Sequence, residues 1–247
     1  MRKSDIQLRQ VQNGLYEVFV NKTSLGTITL SRNSFHAGNL YLQLELSSYD
    51  TSLSDDLFKK FWQEQKNEKR FQIMCDSSET EIIDFIESAG FMCKRKCYEC
   101  EVTETDWKQK SEFPVEIQQY DETRKEYQKA CELLYHQYAI KHEEINPLTV
   151  SYGNFIEKLP KQIYVEISEN QIQNFAFVEE NEIAYVGSVN NETYPAFLAS
   201  VVKRLFAEYD TIYFEADDTD PEAMQLKELF ETEDEESYNT YILERTE

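Results

Sequence analysis

The sequence is poor in basic residues, in glycine and proline, and in long apolar runs, and each shortage excludes a class of protein. It has 25 Lys and Arg against 47 Asp and Glu, a net charge of −22, so binding to nucleic acid or an anionic membrane is not expected. The 6 glycines and 5 prolines exclude a collagen-like or low-complexity chain. No apolar run approaches the roughly 18 residues of a membrane-spanning helix, and the polar start of the chain predicts a cytoplasmic protein.

Negative charge is concentrated in the second half of the chain. Residues 1–110 contain 15 basic and 17 acidic side chains, whereas residues 111–247 contain 10 and 30. An acidic half would attract a small cationic amine or a basic peptide. Solubility alone is the alternative explanation.

The five cysteines predict reduced thiols, because an odd number in a chain expected in the cytoplasm does not suggest a disulfide framework. The spacing Cys93-x3-Cys97-x2-Cys100 resembles the cluster-binding loop of radical S-adenosylmethionine enzymes. The segment also alternates like a strand, which would place Cys93 and Cys97 on one face and Cys100 on the other. His136 and His142 are six residues apart, which is not the spacing of two ligands on one helix face. We therefore predict no metal site.

One pattern of secondary structure occurs twice. Each copy predicts a strand, a helix, a second strand, an acidic turn, a second helix and a closing strand. The first copy runs through 40–46, 53–65, 71–75, 76–79, 81–88 and 91–102. The second runs through 183–189, 194–209, 211–216, 217–220, 222–230 and 238–245. Such a duplication predicts two related domains, closed by 91–102 and 238–245 respectively.

The remaining segments extend both copies. The first half adds a predicted hairpin and a third strand, at 6–12, 15–20 and 27–30. The second half adds a strand at 114–119, a long amphipathic helix at 122–140 and a shorter helix around Phe155. Two further strands follow, at 163–168 and 172–178. The polar stretch 103–112 has no periodicity. The sequence therefore predicts an α+β protein with domains at 1–105 and 113–247, joined by a linker at 106–112.

The order of elements in the second half resembles the GNAT family of acyl-CoA-dependent N-acyltransferases. In addition, the segment EIIDFIESAGF at 81–91 is similar to the family's penultimate helix, which ends in Gly-Phe. The resemblance covers 113–247 as a nearly complete unit and about 15–102 as a unit without its first two helices. It implies two tandem domains, each a mixed, mainly antiparallel twisted sheet flanked by helices. It also implies transfer of an acetyl group from acetyl-CoA to an amine.

In this family the arm of acetyl-CoA pairs with a central strand that separates from its neighbour, and the diphosphate binds the N-terminus of the next helix. Neither half keeps the usual Arg/Gln-x-x-Gly-x-Gly/Ala turn. In the first half, the acidic residues Asp50, Asp55 and Asp56 predict a helix whose own carboxylates satisfy its N-terminal amides.

The second half is the better match to a cofactor site. Thr193 and Ala196 occupy the first polar and first glycine positions of the family turn. However, Leu198 replaces the later glycine and Pro195 removes one amide donor. Gly187 could allow a bulge that opens the sheet, with simple packing as the alternative. The resemblance thus implies a cofactor site formed by Val186, Gly187, Val189, Thr193, Tyr194 and Ala196.

Catalytic groups are harder to identify from the sequence. Some relatives use a strand carboxylate as base and a helix tyrosine as acid. Glu45 and Ser188 lie at that strand position in the two halves and are the candidate catalytic residues, although Glu45 could also be a solvated carboxylate. The tyrosine is replaced by Ile86 in one half and by Leu226 or Lys227 in the other. Two hypotheses follow: an N-acyltransferase that acts on a small amine, or an inactive tandem protein that works as a binding or interaction module.

Overall fold

The computed structural model describes residues 5–108, 115–232 and 236–245. The strands in these residues are β1 (Ile6–Gln12), β2 (Leu15–Val20), β3 (Thr23–Ser31), β4 (Leu40–Leu46), β5 (Arg70–Asp76), β6 (Met92–Thr103), β7 (Gln118–Asp121), β8 (Gln162–Ser168), β9 (Gln171–Glu179), β10 (Glu182–Ser188), β11 (Thr211–Asp217) and β12 (Tyr238–Glu244). The helices are α1 (Thr51–Glu64), α2 (Thr80–Ser88), α3 (Lys125–His142), α4 (Tyr152–Ile156), α5 (Tyr194–Phe206) and α6 (Pro221–Glu228). Part of the predicted linker, 109–112, lies outside the described residues.

Two compact units divide the chain. The first comprises Met1–Lys96, Glu144–Thr149 and Tyr238–Glu247, and the second comprises Cys97–Glu143 and Val150–Ser237. The strand order is β1-β2-β3-β4-β5-β12 in the first unit and β6-β11-β10-β9-β8-β7 in the second. Pairing is parallel between β4 and β5 and between β10 and β11, and antiparallel between the other neighbours of each unit. The predicted α+β class with mixed, mainly antiparallel sheets is confirmed.

The closing strands differ from the expected arrangement. The last strand, β12, pairs with β5 of the first unit, from Tyr238 opposite Asp76 to Glu244 opposite Arg70. The strand expected to close the first domain, β6, instead pairs with β11 of the second unit from Cys97 onward. Both segments alternate apolar and polar residues, so the pattern alone does not determine which edge each strand joins. The compact units therefore depart from the contiguous division 1–105 and 113–247.

A short segment of the second half also belongs to the first unit. Residues 144–149 lie beside the loop before β4, where the Thr149 amide donates to the Phe35 carbonyl at 2.7 Å. The side chain of Asn39 donates to the Ile145 carbonyl at 2.9 Å, and Ile145 is itself buried. These contacts satisfy buried polar groups that the loop would otherwise leave without partners.

The core of the first unit lies between the sheet and helices α1 and α2. The apolar stripe of α1 is fully buried through Leu57, Phe58 and Phe61. Trp62 stacks on Phe71 of β5, with their ring centroids 3.7 Å apart. Burial of each such side chain stabilises the fold by roughly 1.5–3 kcal/mol. This packing holds α1 directly after β4, where a ligand-binding helix is expected.

The core of the second unit lies between its sheet and helices α5 and α6. Helix α5 is buried over most of its length, with Phe197, Val201 and Val202 fully inside. Helix α6 begins with Asp220, whose carboxylate accepts hydrogen bonds from the amides of Glu222 and Ala223. This N-cap, with Pro221 following in the first turn, is the helix start that its sequence favours.

Candidate functional site

The candidate site of the second unit lies where β10 and β11 separate. These parallel strands pair at Glu182 opposite Tyr213 and at Ile183 opposite Phe214, and then diverge. On its other side, β10 continues to pair with β9 as far as Ser188. A bulge interrupts that ladder between Ile183 and Tyr185, at the point where pairing with β11 ends. The sheet therefore opens at the edge expected to receive a ligand.

Gly187 lies beyond this bulge, so it does not form it. A Cβ atom at Gly187 would approach Phe175 Cζ to 2.2 Å and Gln137 Oε1 to 2.4 Å. The glycine is therefore required for close packing of the phenyl ring and the Gln137 amide against the strand.

The main chain of β10 presents alternate residues to the opening. The Val189 amide donates to the Gln173 carbonyl at 2.7 Å, so Val189 and Gly187 direct their backbone groups towards β9. The backbone groups of Val186 and Ser188 consequently face the separated side. Of the side chains, Val186 is buried and Val189 is exposed.

One of these backbone groups already has a partner, Gln137 of α3. Its Nε2 donates to the Ser188 carbonyl at 2.9 Å. Its Oε1 is buried and has no hydrogen-bond partner in the part of the chain that the structure describes. Gln137 is not among the residues predicted from the sequence, although its position three residues after the buried Leu134 places it on the inner face of the helix.

The N-terminus of α5 carries no side-chain cap among the described residues. The N-cap residue is Thr193, and Pro195 lies in the first turn, so the amides that remain there belong to Tyr194 and Ala196. Ala196 is half-buried at the surface of this turn. Tyr194 is fully buried, and its hydroxyl donates to the Glu222 carbonyl at 3.1 Å. Tyr194 can therefore offer a ligand its amide but not its phenol.

A polar network joins this helix end to the sheet. The Thr193 hydroxyl donates to Glu166 Oε2 at 2.9 Å, and Asn174 Nδ2 donates to the same carboxylate oxygen at 2.5 Å. The Ser188 hydroxyl donates to Asn174 Oδ1 at 2.6 Å. The side chain of Ser188, a candidate catalytic residue, therefore contributes to this network, and Glu166 brings a negative charge close to the helix N-terminus.

A carboxylate missed from the sequence, that of Glu215, lies where the strands part. It is the first β11 residue after the last pair with β10, and its side chain keeps solvent-exposed surface although its carboxylate is partly buried. Desolvation of its carboxylate raises its pKa above the ordinary value, and the negative charges of Asp217, Glu99 and Glu182 raise it further. The Cys97 thiol donates a weak hydrogen bond to it at 3.8 Å. The Glu215 carboxylate therefore accepts a proton more readily than an ordinary glutamate does.

The first unit opens in the same way but differs at its helix. Strands β4 and β5 pair at Leu40 opposite Phe71 and at Tyr41 opposite Gln72, and then separate. The helix that follows is capped by Asp50, whose carboxylate accepts the Ser52 amide at 2.9 Å. Asp50 thus caps the helix as predicted. Asp55 and Asp56, which were expected to act in the same way, lie beyond the first turn of α1, and Asp55 pairs with Lys59.

Two further side chains, Tyr49 and Glu45, lie near this opening and both already make hydrogen bonds. The Tyr49 hydroxyl donates to the Leu44 carbonyl at 3.3 Å, so it takes a backbone group on the separated side of β4. Glu45 is exposed, and its carboxylate accepts a long hydrogen bond of 3.4 Å from Gln43 Nε2. Glu45 is therefore a surface carboxylate next to a neutral partner.

The positions at which relatives carry a helix tyrosine hold buried apolar residues. Ile86 and Leu226 both lie in the hydrophobic cores. The Lys227 ammonium lies over the Tyr98 ring, 4.6 Å from its centroid. The described residues therefore offer no phenol at these places.

The cysteine motif lies on β6 as an extended strand. Cys93 is exposed, Cys97 is half-buried and Cys100 is buried, which agrees with the predicted distribution over two faces. The residues that the structure describes contain no group of three His, Cys, Asp or Glu side chains placed to hold a metal ion. Burial raises the pKa of the Cys75 thiol to about 12 and that of Cys131 to about 11. These two thiols are poorly reactive at neutral pH.

The fold is similar to that of solved acetyltransferases. A GCN5-related N-acetyltransferase from Sphaerobacter thermophilus has a TM-score of 0.56 and 11% identity, and the match covers 96% of this chain and 82% of that chain. A GNAT-family acetyltransferase from Colwellia psychrerythraea has a TM-score of 0.50 and 14% identity, with 93% and 85% covered. Comparisons with protein-family models and with curated proteins find no match.

The chain therefore has the fold of solved GNAT acetyltransferases over nearly its whole length. The helices that the structure describes include none that is long and apolar enough to span a membrane.

Proposed function

We propose that the protein is an N-acyltransferase that transfers an acetyl group from acetyl-CoA, held by the second unit, to a small cationic amine. The observation that carries this proposal is the separation of β10 and β11 next to a helix without a side-chain cap in the described chain. A strand edge and an uncapped helix N-terminus are together suited to an amide-bearing arm that ends in a diphosphate.

Each predicted cofactor residue has a place in this proposal. Acetyl-CoA supplies the acetyl thioester, and the gap-facing backbone of Val186 would pair with its amide-bearing arm. The amides of Tyr194 and Ala196 would donate to the diphosphate at the positive end of the α5 dipole. The remaining members of the predicted set, Gly187, Val189 and Thr193, would shape the strand and the turn that connect these two regions.

Glu215 is the residue best placed to act as general base. An amine must lose a proton as its nitrogen forms a bond to the acetyl carbon and the carbon–sulfur bond breaks. The carboxylate of Glu215 lies where the strands part, and its raised pKa makes it a better proton acceptor than an ordinary glutamate. The nearby charges of Glu99, Glu182 and Asp217 would attract a cationic acceptor. Glu215 thus replaces Glu45 and Ser188 as our candidate.

A second function, a binding module without acetyl transfer, is favoured by different contacts. Gln137 already donates a hydrogen bond to the Ser188 carbonyl. The Glu166 carboxylate accepts a hydrogen bond from Thr193, so a negative charge lies beside the α5 N-terminus, where the diphosphate would bind. In the first unit, Tyr49 and Asp50 occupy the corresponding strand and helix groups. Each contact opposes cofactor binding by competition or by charge repulsion.

Thermal unfolding in the presence of acetyl-CoA or desulfo-CoA separates the two functions. Ligand at about 100 times its Kd would stabilise the protein by about 2.7 kcal/mol and raise the Tm. Ala196→Asp should abolish that shift, because it places a carboxylate at the expected diphosphate position. Ala207→Asp is the matched control, since Ala207 is the exposed C-cap residue of the same helix. No shift in Tm at millimolar acetyl-CoA would leave the binding module as the function.

A further inference from the structure

Helix α3 has contacts on both sides of the opening in the second unit. Gln137 donates to the Ser188 carbonyl of β10 at 2.9 Å. One turn further along the helix, the Lys141 ammonium lies 2.6 Å from Asp220 Oδ1 and 2.9 Å from Glu222 Oε2, at the start of α6. Residues four positions apart lie on the same face of a helix. One face of α3 therefore connects the end of β10 with the helix that follows β11.

The connection joins two helices that lie on opposite faces of the sheet. Tyr127 of α3 contacts Phe177 of β9, with their ring centroids 5.7 Å apart. The neighbouring β9 residues, Ala176 and Val178, belong to the core that contains α6. Because successive side chains of a strand point to opposite faces, α3 and α6 lie on different sides of the sheet. The Lys141 ion pairs therefore cross from one face to the other beside the ends of β10 and β11, which no longer pair there.

The two ion pairs are largely sheltered from water. The side chains of Lys141, Asp220 and Glu222 are 17%, 23% and 17% exposed. Charged partners that are partly buried attract each other more strongly than surface pairs do, and salt screens them less. The ammonium therefore holds α3 against the start of α6 and restricts access to the opening between them.

Both helices keep their ends without these ion pairs. The Asp220 carboxylate also accepts hydrogen bonds from the amides of Glu222 and Ala223, so the N-cap of α6 does not depend on the ammonium. At the end of α3, His142 Nδ1 lies 2.9 Å from the Tyr138 carbonyl oxygen, and the two rings stack with centroids 3.8 Å apart. The ion pairs can therefore break while α3 and α6 stay folded.

We propose that Lys141 is an ionic clasp across the opening of the second unit, and that a ligand enters between β10 and β11 after the ammonium has left Asp220 and Glu222. The clasp is a property of the second unit alone. Its effect on acetyl-CoA rests on the function proposed above. Loss of the Lys141 charge should therefore expose the opening to water and to ligand.

Amide hydrogen exchange of the full ¹⁵N-labelled chain, followed by NMR, tests the clasp without a ligand. Lys141→Met keeps most of the side-chain length and removes the charge. It should raise the exchange rates of the gap-facing Val186 and Ser188 amides about fivefold, the effect of losing one measurable ion pair. Lys129→Met, at an exposed lysine of the same helix, is the matched control and should leave both rates unchanged.

Salt provides a second readout that a purely structural role would not affect. The Debye length falls from about 10 Å at 0.1 M salt to about 3 Å at 1 M, so high salt weakens the clasp. In the wild-type protein, the Val186 and Ser188 amides should exchange faster at 1 M than at 0.1 M salt. Lys141→Met should lose this salt dependence, whereas Lys129→Met should keep it.

Two results would overturn the clasp. One is unchanged exchange of the two gap-facing amides in Lys141→Met. The other is faster exchange throughout the second unit together with a lower Tm, which would show that Lys141 only supports the fold. If Lys141→Met does not fold, Glu222→Gln decides, because it removes one carboxylate partner and leaves the Asp220 cap of α6 in place. Unchanged exchange in Glu222→Gln would contradict the proposal.

Stopped-flow binding of acetyl-CoA measures the effect on ligand entry. The association rate constant should rise about fivefold in Lys141→Met, because the opening is exposed for a larger fraction of the time. An unchanged rate constant alongside faster exchange would show that the ligand does not pass the clasp, and would overturn the claim about entry. If the wild-type protein does not bind acetyl-CoA, the function proposed above fails, while the exchange rates still decide whether the clasp exists.

Discussion

Replacement of Gln137 by alanine should increase the affinity of the protein for acetyl-CoA. The amide of Gln137 donates to the Ser188 carbonyl at 2.9 Å, on the side of β10 that faces the opening. A cofactor arm that pairs with this carbonyl must first displace the glutamine amide. The Gln137 Oε1 makes no hydrogen bond within the described part of the protein, so the donor bond from Nε2 is the side-chain hydrogen bond that holds Gln137 in place.

The size of the effect follows from that single hydrogen bond. A net intramolecular hydrogen bond contributes about 0.5–1.5 kcal/mol, which corresponds to about a 2- to 13-fold increase in affinity when the competitor is removed. Gln137→Met separates two causes, because it keeps the volume of the side chain but loses the donor. If competition for the carbonyl dominates, both variants bind more tightly. If steric filling dominates, the increase is confined to Gln137→Ala.

Isothermal titration with acetyl-CoA measures this effect directly. Gln128→Ala, on the exposed face of the same helix, serves as the control and should leave the Kd unchanged. A Kd for Gln137→Ala within twofold of the wild-type value would refute competition at the Ser188 carbonyl. Weaker binding would show instead that Gln137 supports the ligand. The Tm of each variant reports whether the loss of Gln137 also loosens the contact between α3 and β10.

Two further predictions concern titrating groups. Glu215→Gln should abolish most acetyl transfer while leaving acetyl-CoA affinity unchanged. In the wild-type protein, kcat/KM should fall as the pH drops through the pKa of Glu215, which lies above the ordinary value of 4.5, because the protonated carboxyl cannot accept a proton. Because a raised carboxyl pKa means that the ionised form is disfavoured in the folded state, stability declines as the pH rises through this range, and Glu215→Gln should raise the Tm at pH 7. Loss of both activity and Tm would indicate a structural role. Alkylation at pH 8 should modify Cys93 rapidly, whereas Cys75 and Cys131 should react after unfolding; rapid mass-spectrometric labelling of either buried thiol in the native protein would contradict this.

Periodicity predicted most of the elements because each must bury one face. The stripe Leu57, Phe58 and Phe61 could be assigned to a helix from its spacing alone, and these residues are buried in α1. The acidic turn 217–220 likewise precedes the predicted helix at 222–230, and its last residue, Asp220, caps α6 through local hydrogen bonds. Such features depend on neighbours in the sequence and are therefore accessible without tertiary information.

The closing strands and the site depend on contacts between distant residues. Nothing in the alternation of 238–245 indicates that it pairs with β5, because the choice depends on how Tyr241 and Leu243 fit the first core. Gln137 meets Ser188 across 51 positions of sequence, and Glu215 gains its position from the register between β10 and β11. The periodicity of a single sequence does not predict which residues far apart along the chain come into contact.

The two units differ at corresponding places, and the differences fit a division of roles. At the end of the middle strand, the second unit has the carboxylate Glu215 where the first has the thioether Met74. At the helix that follows the separated strand, the first unit is capped by Asp50, whereas α5 has no side-chain cap in the described chain. The first unit therefore lacks the counterpart of the proposed base, and the N-terminus of its helix is already capped. Any acetyl transfer is therefore expected from the second unit.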